Sequence, residues 1–310
     1  MNNIQNYIPK LILLVGLSAS GKSTVAAQIA KENTNTVIAS SNSIREELTG
    51  NYADREHNEE VFRIFHDRIR RNLENKRNVI ADATNLTLKA RRAIMNNVNG
   101  LDIDKICYIT AKPFVQCKKD NLNREHPVPE EVLSAQIRRF QVPFYEEGFD
   151  KIIISRGAEW YRRYTKTEFL KMMRGYDQKT PFHTMDLLNH CISSCNSFGK
   201  YFNVCDEFFD GFVTGAELHD LGKLFTQIFD DDGIAHYYGH AEYGSYSVLS
   251  QINMPETWSY DDLLNCCFLI NYHMFPFEWN TEKIKKRWKE RFGEYKYKML
   301  LDFNECDKAR

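Results

Sequence analysis

A glycine-bounded segment, Gly16-Leu-Ser-Ala-Ser-Gly-Lys-Ser-Thr24, follows the apolar run Lys10–Val15 directly and precedes a helical pattern. Its spacing is GxxxxGK[ST], and in this context the glycines allow backbone N–H groups to wrap phosphates. Lys22 is expected to reach the β- and γ-phosphates of ATP or another nucleoside triphosphate, and Ser23 to bind Mg²⁺. The predicted nucleotide-binding residues are Gly16, Ser20, Gly21, Lys22, Ser23 and Thr24.

Up to about Ile154, short β-branched runs alternate with longer helical stretches, which predicts an α/β fold with a parallel sheet and flanking helices. Strands are predicted at Lys10–Val15, Thr36–Ala39, Asn78–Ala81, Ile103–Ile109 and Lys151–Ile154. Later in the chain, helices without strands are predicted at His183–Phe198, Asp206–Leu224, His240–Ile252, Asp261–His273 and Glu282–Lys308. The predicted division is an α/β domain (1–154), a connector (155–177) and an all-α domain (178–310).

Composition narrows the class of protein. The 310 residues suffice for about two domains, and 43% hydrophobic residues suffice for a core in each. No apolar run resembles a membrane span or a signal peptide, so a cytoplasmic protein is expected. The 8 cysteines form no CxxC pair and are expected to be reduced. A net charge of −1 gives no general attraction for nucleic acid, so a polyanion would need a local basic patch.

Three further segments occur in order along the chain: IASSNSIREEL, NVIADATNLTLKARR and NREHPVPEEV. Together with the glycine-bounded segment they resemble the kinase module of polynucleotide kinases over roughly residues 10–154. The resemblance implies transfer of the γ-phosphate of an NTP to a 5′-hydroxyl of RNA or DNA. It implies that Arg45 holds the acceptor phosphate and that Arg124 stabilises charge on the transferring phosphoryl group. The positions implied to line the substrate site are Asp82, Thr84, Asn85, Arg91 and Arg92.

One position departs from the family pattern. Where the family carries an aspartate general base, three residues before its arginine, this sequence has Asn42. An amide cannot take the acceptor's proton, and loss of a general base typically slows a reaction by ~10²–10⁴-fold. Three explanations are open: an introduced substitution, a naturally slow kinase, or another carboxylate that takes the proton.

The second half carries a histidine–aspartate pair in the segment Glu217-Leu-His-Asp-Leu-Gly-Lys223. Adjacent His219 and Asp220 can both approach one cation where the backbone bends, but a divalent site needs further ligands from distant helices. The segment resembles the central motif of HD-domain phosphohydrolases, which implies metal-activated water attacking a phosphoester. The resemblance also implies that His190 and Asp307 complete the ligand set of Mn²⁺, Fe²⁺, Ni²⁺ or Zn²⁺.

Four other residues of this half receive expected roles. By the same resemblance, His240 and His273 occupy positions where many members carry a second-metal ligand or a phosphate contact. Lys223 follows the His–Asp pair closely enough to neutralise a phosphate oxygen. His183 precedes His190 by two helical turns, so the two share a helix face and His183 is expected to contact substrate.

The two resemblances together predict a bifunctional enzyme that prepares broken RNA for ligation. It would add a 5′-phosphate and remove a 2′- or 3′-phosphate or a 2′,3′-cyclic phosphate. The expected partners are RNA or DNA ends and a separate RNA ligase, since the sequence has no KxDG motif. Two alternatives are open: a nucleoside or nucleotide kinase joined to a nucleotidase, and an NTP-gated regulatory protein with a weakened kinase site.

Overall fold

The structure is a computed structural model that describes residues 7–181, 184–201 and 209–308. The chain forms two compact units, neither of which is continuous in sequence. The first unit consists of residues 7–133 and Glu147–Gly157, and the second of Ser134–Glu146 and the described residues from Ala158 onward. Within the described ranges, no helix combines the length and the apolar character needed to cross a membrane.

The first unit is a five-stranded parallel sheet with helices between its strands. The strands are β1 (Lys10–Val15), β2 (Thr36–Ser40), β3 (Asn78–Asp82), β4 (Asp104–Thr110) and β5 (Lys151–Ser155). The helices are α1 (Lys22–Glu32), α2 (Ser41–Thr49), α3 (Asn58–Glu74), α4 (Leu88–Asn97), α5 (Phe114–Leu122) and the start of α6 (Glu130–Ile137). The α/β prediction is confirmed for this unit, and the strand ends differ from the predicted ones by one residue at most.

Strand β1 lies in the middle of the sheet, whose order is β2-β3-β1-β4-β5. Leu13 of β1 pairs with Ala81 of β3 on one side and with Cys107 of β4 on the other, and all three are buried. Strands covered on both faces are apolar throughout rather than alternating, which is why β1 and β3 were visible in the sequence. Because the strands are parallel, the loops after β1, β3 and β4 meet at one edge of the sheet.

The second unit is mostly helical. Its helices are α7 (Lys166–Met173), α8 (Leu187–Phe198), α9 (Phe209–Leu218), α10 (Lys223–Thr226), α11 (His240–Gln251), α12 (Tyr260–Tyr272) and α13 (Glu282–Lys308). Helix α12 packs against both α9 and α11. It is buried on all sides from Leu263 to Tyr272, as expected for a central helix that is apolar all round. Helix α13 is interrupted at Gly293, whose dihedral angles are not helical.

The prediction that this half is all-α is wrong at one place, where β6 (Ile228–Phe229) and β7 (Ala235–His236) form an antiparallel ribbon. The Asp230 side chain closes the turn by accepting from the N–H groups of Asp232 (3.1 Å) and Ile234 (2.9 Å). Strands of two residues are too short to show an alternating pattern, so no strand was predicted here.

The predicted helix Asp206–Leu224 is two helices, α9 and α10, although residues 206–208 lie outside the described ranges. The turn between the two helices carries His219 and Asp220. Gly222 in this turn lies against the backbone of α11, and a Cβ there would collide with the carbonyl oxygen of His240. Only glycine allows the turn and α11 to approach this closely.

Residues 134–146 lie inside the predicted first domain but pack within the second unit. Phe140 meets a tyrosine ring of α11 edge-on, with ring centroids 5.0 Å apart. The buried Asn271 side chain accepts from the N–H of Val142 (2.5 Å) and donates to the carbonyl oxygen of Phe140 (3.0 Å). The unit boundaries therefore differ from the predicted division, and most of the predicted connector belongs to the second unit.

Candidate active sites

The loop after β1 wraps around the side chain of its own lysine. Lys22 is buried, and its ammonium group donates to the carbonyl oxygens of Gly16 (3.0 Å) and Leu17 (2.7 Å). Gly16 leaves no room for a side chain, because a Cβ there would collide with the hydroxyl group of Thr110. That hydroxyl is also hydrogen-bonded to Ser20 Oγ (2.6 Å). The loop and the N-terminus of α1 form the anion-binding arrangement that the motif predicts.

A hydroxyl and a carboxylate lie beside this lysine. Ser23 Oγ donates to Oδ2 of Asp82, the last residue of β3, over 3.0 Å. Burial raises the pKa of Asp82, and the charge of Lys22 and the Ser23 hydrogen bond offset part of the rise. Burial lowers the pKa of Lys22 to about 8 against the opposing effect of Asp82. Mg²⁺ prefers oxygen ligands, so the side chains of Ser23 and Asp82 fit a magnesium ion. Thr24, another predicted nucleotide-binding residue, is exposed on the first turn of α1.

A connected polar network lies on the α2 side of the loop. Arg45 Nη1 donates to Asn42 Oδ1 (3.1 Å) and Arg45 Nη2 to Asn58 Oδ1 (2.7 Å). Asn42 Nδ2 donates to the Tyr52 hydroxyl (2.8 Å), which also accepts from Arg124 Nη2 (3.1 Å). Arg45 is 4% exposed, and within the described part of the chain its buried Nε has no acceptor. Neither side chain bonded to Asn42 is a carboxylate.

This network lies beside the phosphate loop. The hydroxyl of Ser41, the first residue of α2, donates to the carbonyl oxygen of Asp82 (3.4 Å). Burial has the largest effect on the pKa of Lys22 and of Asp82, lowering the first and raising the second. The charge of Arg124 also acts on both groups, adding to the fall for Lys22 and opposing the rise for Asp82. The structure therefore brings Arg124, Arg45 and Asn42 to the edge of the sheet that carries Lys22.

The segment after β3 supports the phosphate loop. The carbonyl oxygen of Thr84 accepts from the N–H of Gly16 (3.1 Å). Asn85 is buried, and its side chain donates to the carbonyl oxygen of Leu14 at the end of β1 (2.8 Å). The Asn85 amide nitrogen is therefore engaged inside the protein, and the implied role of Asn85 in lining the substrate site stays a prediction.

The two neighbouring arginines of α4 differ in burial and in their contacts. Arg91 is fully buried and forms a two-point ion pair with Glu147, with N–O distances of 2.7 and 2.8 Å. It holds α4 to the segment before β5 and does not line an open site. Arg92 is half-buried, and its side chain makes no hydrogen bond or ion pair with any described residue, so the side chain is available to a substrate.

The second unit brings the predicted metal ligands together from separate elements. They are His190 on α8, His219 and Asp220 in the α9–α10 turn, His240 at the start of α11, His273 after α12, and Asp307 in α13. Asp220 Oδ2 lies 3.3 Å from His219 Nε2 and 3.4 Å from His190 Nε2. Asp307 Oδ1 lies 3.2 and 3.3 Å from His190 Nε2 and His219 Nε2, respectively. These four side chains form one compact group.

The other oxygen of Asp220 faces a second pair of histidines. Asp220 Oδ1 lies 3.1 Å from His240 Nε2 and 3.7 Å from His273 Nε2. The ligand atoms of these three side chains lie close enough to hold one metal ion, as do those of His190, His219 and Asp307. Asp220 is therefore shared by two adjoining groups.

Main-chain carbonyls set the tautomers of three of these histidines. Nδ1 of His219, His240 and His273 lies 2.9, 2.8 and 2.8 Å from the carbonyl oxygen three residues earlier, so Nδ1 donates to that carbonyl and Nε2 faces the carboxylates. Burial and the neighbouring histidines lower the pKa of His273 to about 3, so this ring stays neutral. His219 Nε2 is buried and has no hydrogen-bond partner in the described ranges. Imidazole nitrogens that face carboxylate oxygens in this way fit a divalent transition metal between them, which would bind the neutral rings.

Lys223 holds one of these ligands in place. Its ammonium lies 2.7 Å from Asp220 Oδ2 and donates to Gln178 Oε1 (2.8 Å). Burial opposes ionisation of Asp220, but Lys223 and His219 keep its pKa well below the usual range. Lys223 is 6% exposed, so in this structure it positions a carboxylate, and its predicted contact with a phosphate oxygen stays a prediction. His183, the predicted substrate contact, lies outside the described residues.

Three site residues were missed from the sequence. Tyr52 joins Asn42 to Arg124, and Gln178 accepts from Lys223. The thiol of Cys191 lies with His219 and Asp220 in a third close group of ligand atoms. Cys191 directly follows a predicted ligand and could have been included on that ground, whereas the two other residues belong to no motif.

Comparison with known proteins supports the interpretation of the first unit as a nucleotide-binding unit. Residues 11–143 match a family described as an AAA domain. The L-seryl-tRNA(Sec) kinase of Methanococcus maripaludis is 30% identical over 145 residues, which cover 45% of this chain and 56% of that relative, so the match spans about half its length.

Two chains in solved structures of the Pnkp1/Rnl/Hen1 RNA repair complex are also similar. One is 23% identical, with a TM-score of 0.40 and coverage of 44% of this chain and 45% of that chain. The other is 19% identical, with a TM-score of 0.35 and coverage of 63% and 68%. In its phosphate-loop motif, its parallel sheet and its sequence match, the N-terminal part of the chain is similar to P-loop kinase-like domains.

Proposed function

We propose that the chain is a bifunctional enzyme of nucleic-acid ends. The first unit phosphorylates a 5′-hydroxyl with an NTP, and the second is an HD-type phosphohydrolase that removes a 2′- or 3′-phosphate or a 2′,3′-cyclic phosphate. The observation that carries the proposal is a P-loop in the same chain as a buried cluster whose imidazole nitrogens face two carboxylates. The two activities together would restore both ends of a broken strand, which a separate RNA ligase could then join.

In the kinase unit, the nucleotide side is assembled on the phosphate loop. Lys22 and the loop N–H groups hold the phosphates, and Ser23 with Asp82 would hold Mg²⁺. The 5′-oxygen forms a bond to the γ-phosphorus as the bond to the ADP oxygen breaks. Arg124, beside Lys22, stabilises the negative charge that spreads over the phosphoryl group during this exchange.

The acceptor side is assembled on α2. Asn42 and Asn58 orient the Arg45 guanidinium, whose buried Nε has no acceptor in the described protein and suits it to an anionic phosphate of the acceptor strand. The oxygen of the Asn42 amide is turned to Arg45 and cannot take the hydroxyl proton, which passes to solvent. The kinase is therefore expected to be slow, although its nucleotide side is complete.

In the hydrolase unit, the ligands would form two groups that share Asp220. They are His190, His219 and Asp307 with Asp220 beside them for one metal, and Asp220, His240 and His273 for another. A divalent metal bound there would lower the pKa of a coordinated water and polarise a phosphoester. The protein prepares the site by fixing three imidazoles in the metal-binding tautomer and by holding Asp220 with Lys223.

The test uses an RNA oligonucleotide with a 5′-hydroxyl and a 2′,3′-cyclic phosphate. The chain is incubated with ATP, Mg²⁺ and Mn²⁺, and both ends are analysed by mass spectrometry. We expect a new 5′-phosphate and loss of the terminal phosphate, with the second reaction abolished by removal of bound metal and restored by Mn²⁺. An intact cyclic end with metal-loaded protein would contradict the hydrolase, and an unmodified 5′ end would contradict the kinase.

One comparison favours a second candidate acceptor, because the relative is named as a kinase of L-seryl-tRNA(Sec). That acceptor is also a hydroxyl attached to RNA, and Arg45 could hold an RNA phosphate in either case. Parallel assays with the 5′-hydroxyl RNA, seryl-tRNA and a mononucleoside separate the candidates. The proposed function requires the highest kcat/KM for the 5′-hydroxyl RNA, whereas a preference for the mononucleoside would indicate a small-molecule kinase.

A further inference from the structure

Tyr52 lies in a tight turn between α2 and α3. The turn is fixed by Asn51, whose side-chain oxygen accepts from the N–H of Ala53 (2.9 Å) and whose carbonyl oxygen accepts from the N–H of Asp54 (3.1 Å). Asparagine commonly stabilises turns through such local bonds. The turn leaves Tyr52 half-buried, with its hydroxyl in contact with two other parts of the kinase site.

The hydrogen-bond roles at this hydroxyl follow from its neighbours. A guanidinium only donates, so the Asn42 atom 3.1 Å from Arg45 Nη1 is the amide oxygen. The amide nitrogen is therefore the atom that donates to the Tyr52 hydroxyl, over 2.8 Å. The same hydroxyl oxygen accepts from Arg124 Nη2 over 3.1 Å. Among the described residues, Tyr52 is the only hydrogen-bond partner of the Arg124 side chain.

A second contact joins Tyr52 to the same loop. The ring of His126 stacks on the ring of Tyr52, with centroids 5.0 Å apart and planes 25° from parallel. Arg124 and His126 both belong to the loop between α5 and α6. Tyr52 therefore holds this loop at two points, one polar and one aromatic.

We propose that Tyr52 latches the α5–α6 loop onto the acceptor side of the kinase site and so positions the Arg124 guanidinium beside the phosphate loop. The inference rests on the proposed kinase function and deepens it. Tyr52 is a positioning residue that acts through Arg124. A long arginine side chain loses rotamer freedom when it is held, and having it held before the reaction starts favours the transfer step.

Tyr52→Phe tests the latch, because it keeps the stacked ring and the turn but removes the hydroxyl. We expect kcat of the kinase to fall by ~10-fold, since Arg124 is no longer held in place. KM for ATP should change little, because Lys22 and the phosphate loop remain. In an Arg124→Ala background, Tyr52→Phe should have no further effect on kcat, as two residues that act through one group are not additive.

Tyr108→Phe is the matched control: Tyr108 is a half-buried tyrosine of β4 whose hydroxyl makes no hydrogen bond with the described residues. A fall in kcat for Tyr52→Phe that persists in Arg124→Ala would overturn the inference, because the hydroxyl would then act independently of the arginine.

An activity-independent measurement separates failure of the latch from failure of the proposed function. Amide hydrogen exchange in residues 122–128 should be faster in Tyr52→Phe than in wild type, and unchanged in Tyr108→Phe. Unchanged exchange in Tyr52→Phe would overturn the latch even in an active kinase. Faster exchange in a chain that phosphorylates no acceptor would support the latch while the proposed function fails.

Discussion

The phosphate loop and the histidine cluster are built in opposite ways. The loop places its phosphate-binding groups within one stretch, Gly16–Thr24, and uses main-chain atoms around a single lysine. The cluster collects side chains from between His190 and Asp307, and main-chain carbonyls only orient them. One site is specified by the path of the backbone, and the other by the packing of helices.

The two sites also differ in the charge of the ligand that each would attract. The loop and its surroundings hold Lys22, Arg45 and Arg124, with Asp82 as the carboxylate hydrogen-bonded to the loop, and are suited to a polyanion. The cluster holds the carboxylates of Asp220 and Asp307 among imidazole nitrogens and is suited to a cation. Each site should therefore be disabled without damage to the other, and the predictions below test that separation.

Asp220→Ala should give the largest effect, because this carboxylate belongs to both ligand groups. We expect loss of bound metal and of all phosphohydrolase activity, since a ligand contributes coordination energy directly, while ATP binding is retained. Metal analysis and calorimetric ATP titration of the purified variant check both parts. Asp230→Ala is the control, because it removes an exposed aspartate paired with His236 in the same unit. Full metal occupancy in Asp220→Ala would contradict the ligand assignment.

Lys22→Ala is the reciprocal change. We expect NTP-dependent phosphorylation to fall by ~10³-fold or more, because the variant removes the buried ammonium of the phosphate loop, which is expected to stabilise the transferring phosphates. The phosphohydrolase activity should stay near the wild-type rate, measured on the RNA that has a 5′-hydroxyl and a 2′,3′-cyclic phosphate. Lys31→Ala, at the exposed end of α1, serves as the control. Loss of both activities in a folded Lys22→Ala protein would break the two-site comparison.

Asn42→Asp should change only the kinase and should raise its rate by ~10²-fold, because a carboxylate at this position can take the hydroxyl proton. Arg45 and Tyr52 can both donate to an aspartate there, so the network should survive the change. Single-turnover phosphorylation of a 5′-hydroxyl RNA measures the effect. Equal rates would show that proton transfer is not limiting or that another group takes the proton. Absence of transfer in both forms would favour an NTP-gated regulatory protein.

His240→Ala and His273→Ala should have milder effects than Asp220→Ala, because the first ligand group remains complete without them. We expect a ~10–100-fold loss of hydrolase activity or of affinity for a second metal. Metal titration with activity measured at each step distinguishes the two outcomes. His236→Ala, a histidine of the ribbon outside the cluster, should behave as wild type. A protein emptied of all metal by either variant would refute this ranking.

The smallest expected effect is the uptake of a fraction of a proton when ATP binds. Burial lowers the pKa of Lys22 to about 8, and bound phosphates would favour its charged form. About half of these lysines are neutral at pH 8, so ATP binding should take up ~0.5 proton there and almost none near pH 6. Calorimetry in buffers with different ionisation heats measures the uptake. Lys22→Met should abolish it, and an unchanged uptake in that variant would assign the proton elsewhere.

The sheet was predictable almost to the residue because its strands are short, buried apolar runs bounded by turns. The residues of the histidine cluster could be named from the sequence because His219 and Asp220 are adjacent and the others follow the order of a known pattern, and their role as metal ligands stays a prediction. The contacts of Tyr52 and Gln178 were not predictable, since each joins residues distant in sequence and belongs to no motif. The same limit applied to Lys223, whose position in the sequence did not reveal that it is buried against Asp220.

The path of residues 134–146 has a consequence for how such a protein can be divided or assembled. A fragment ending at residue 154 would keep Phe140 and Phe144 but lose the rings of α11, α12 and α13 against which they pack. The complementary fragment would keep Asn271 in its core without the main-chain groups that pair with it. A single cut at residue 154 would therefore damage both fragments. The second unit needs this earlier segment for its core, so the join between the two units is more than a tether.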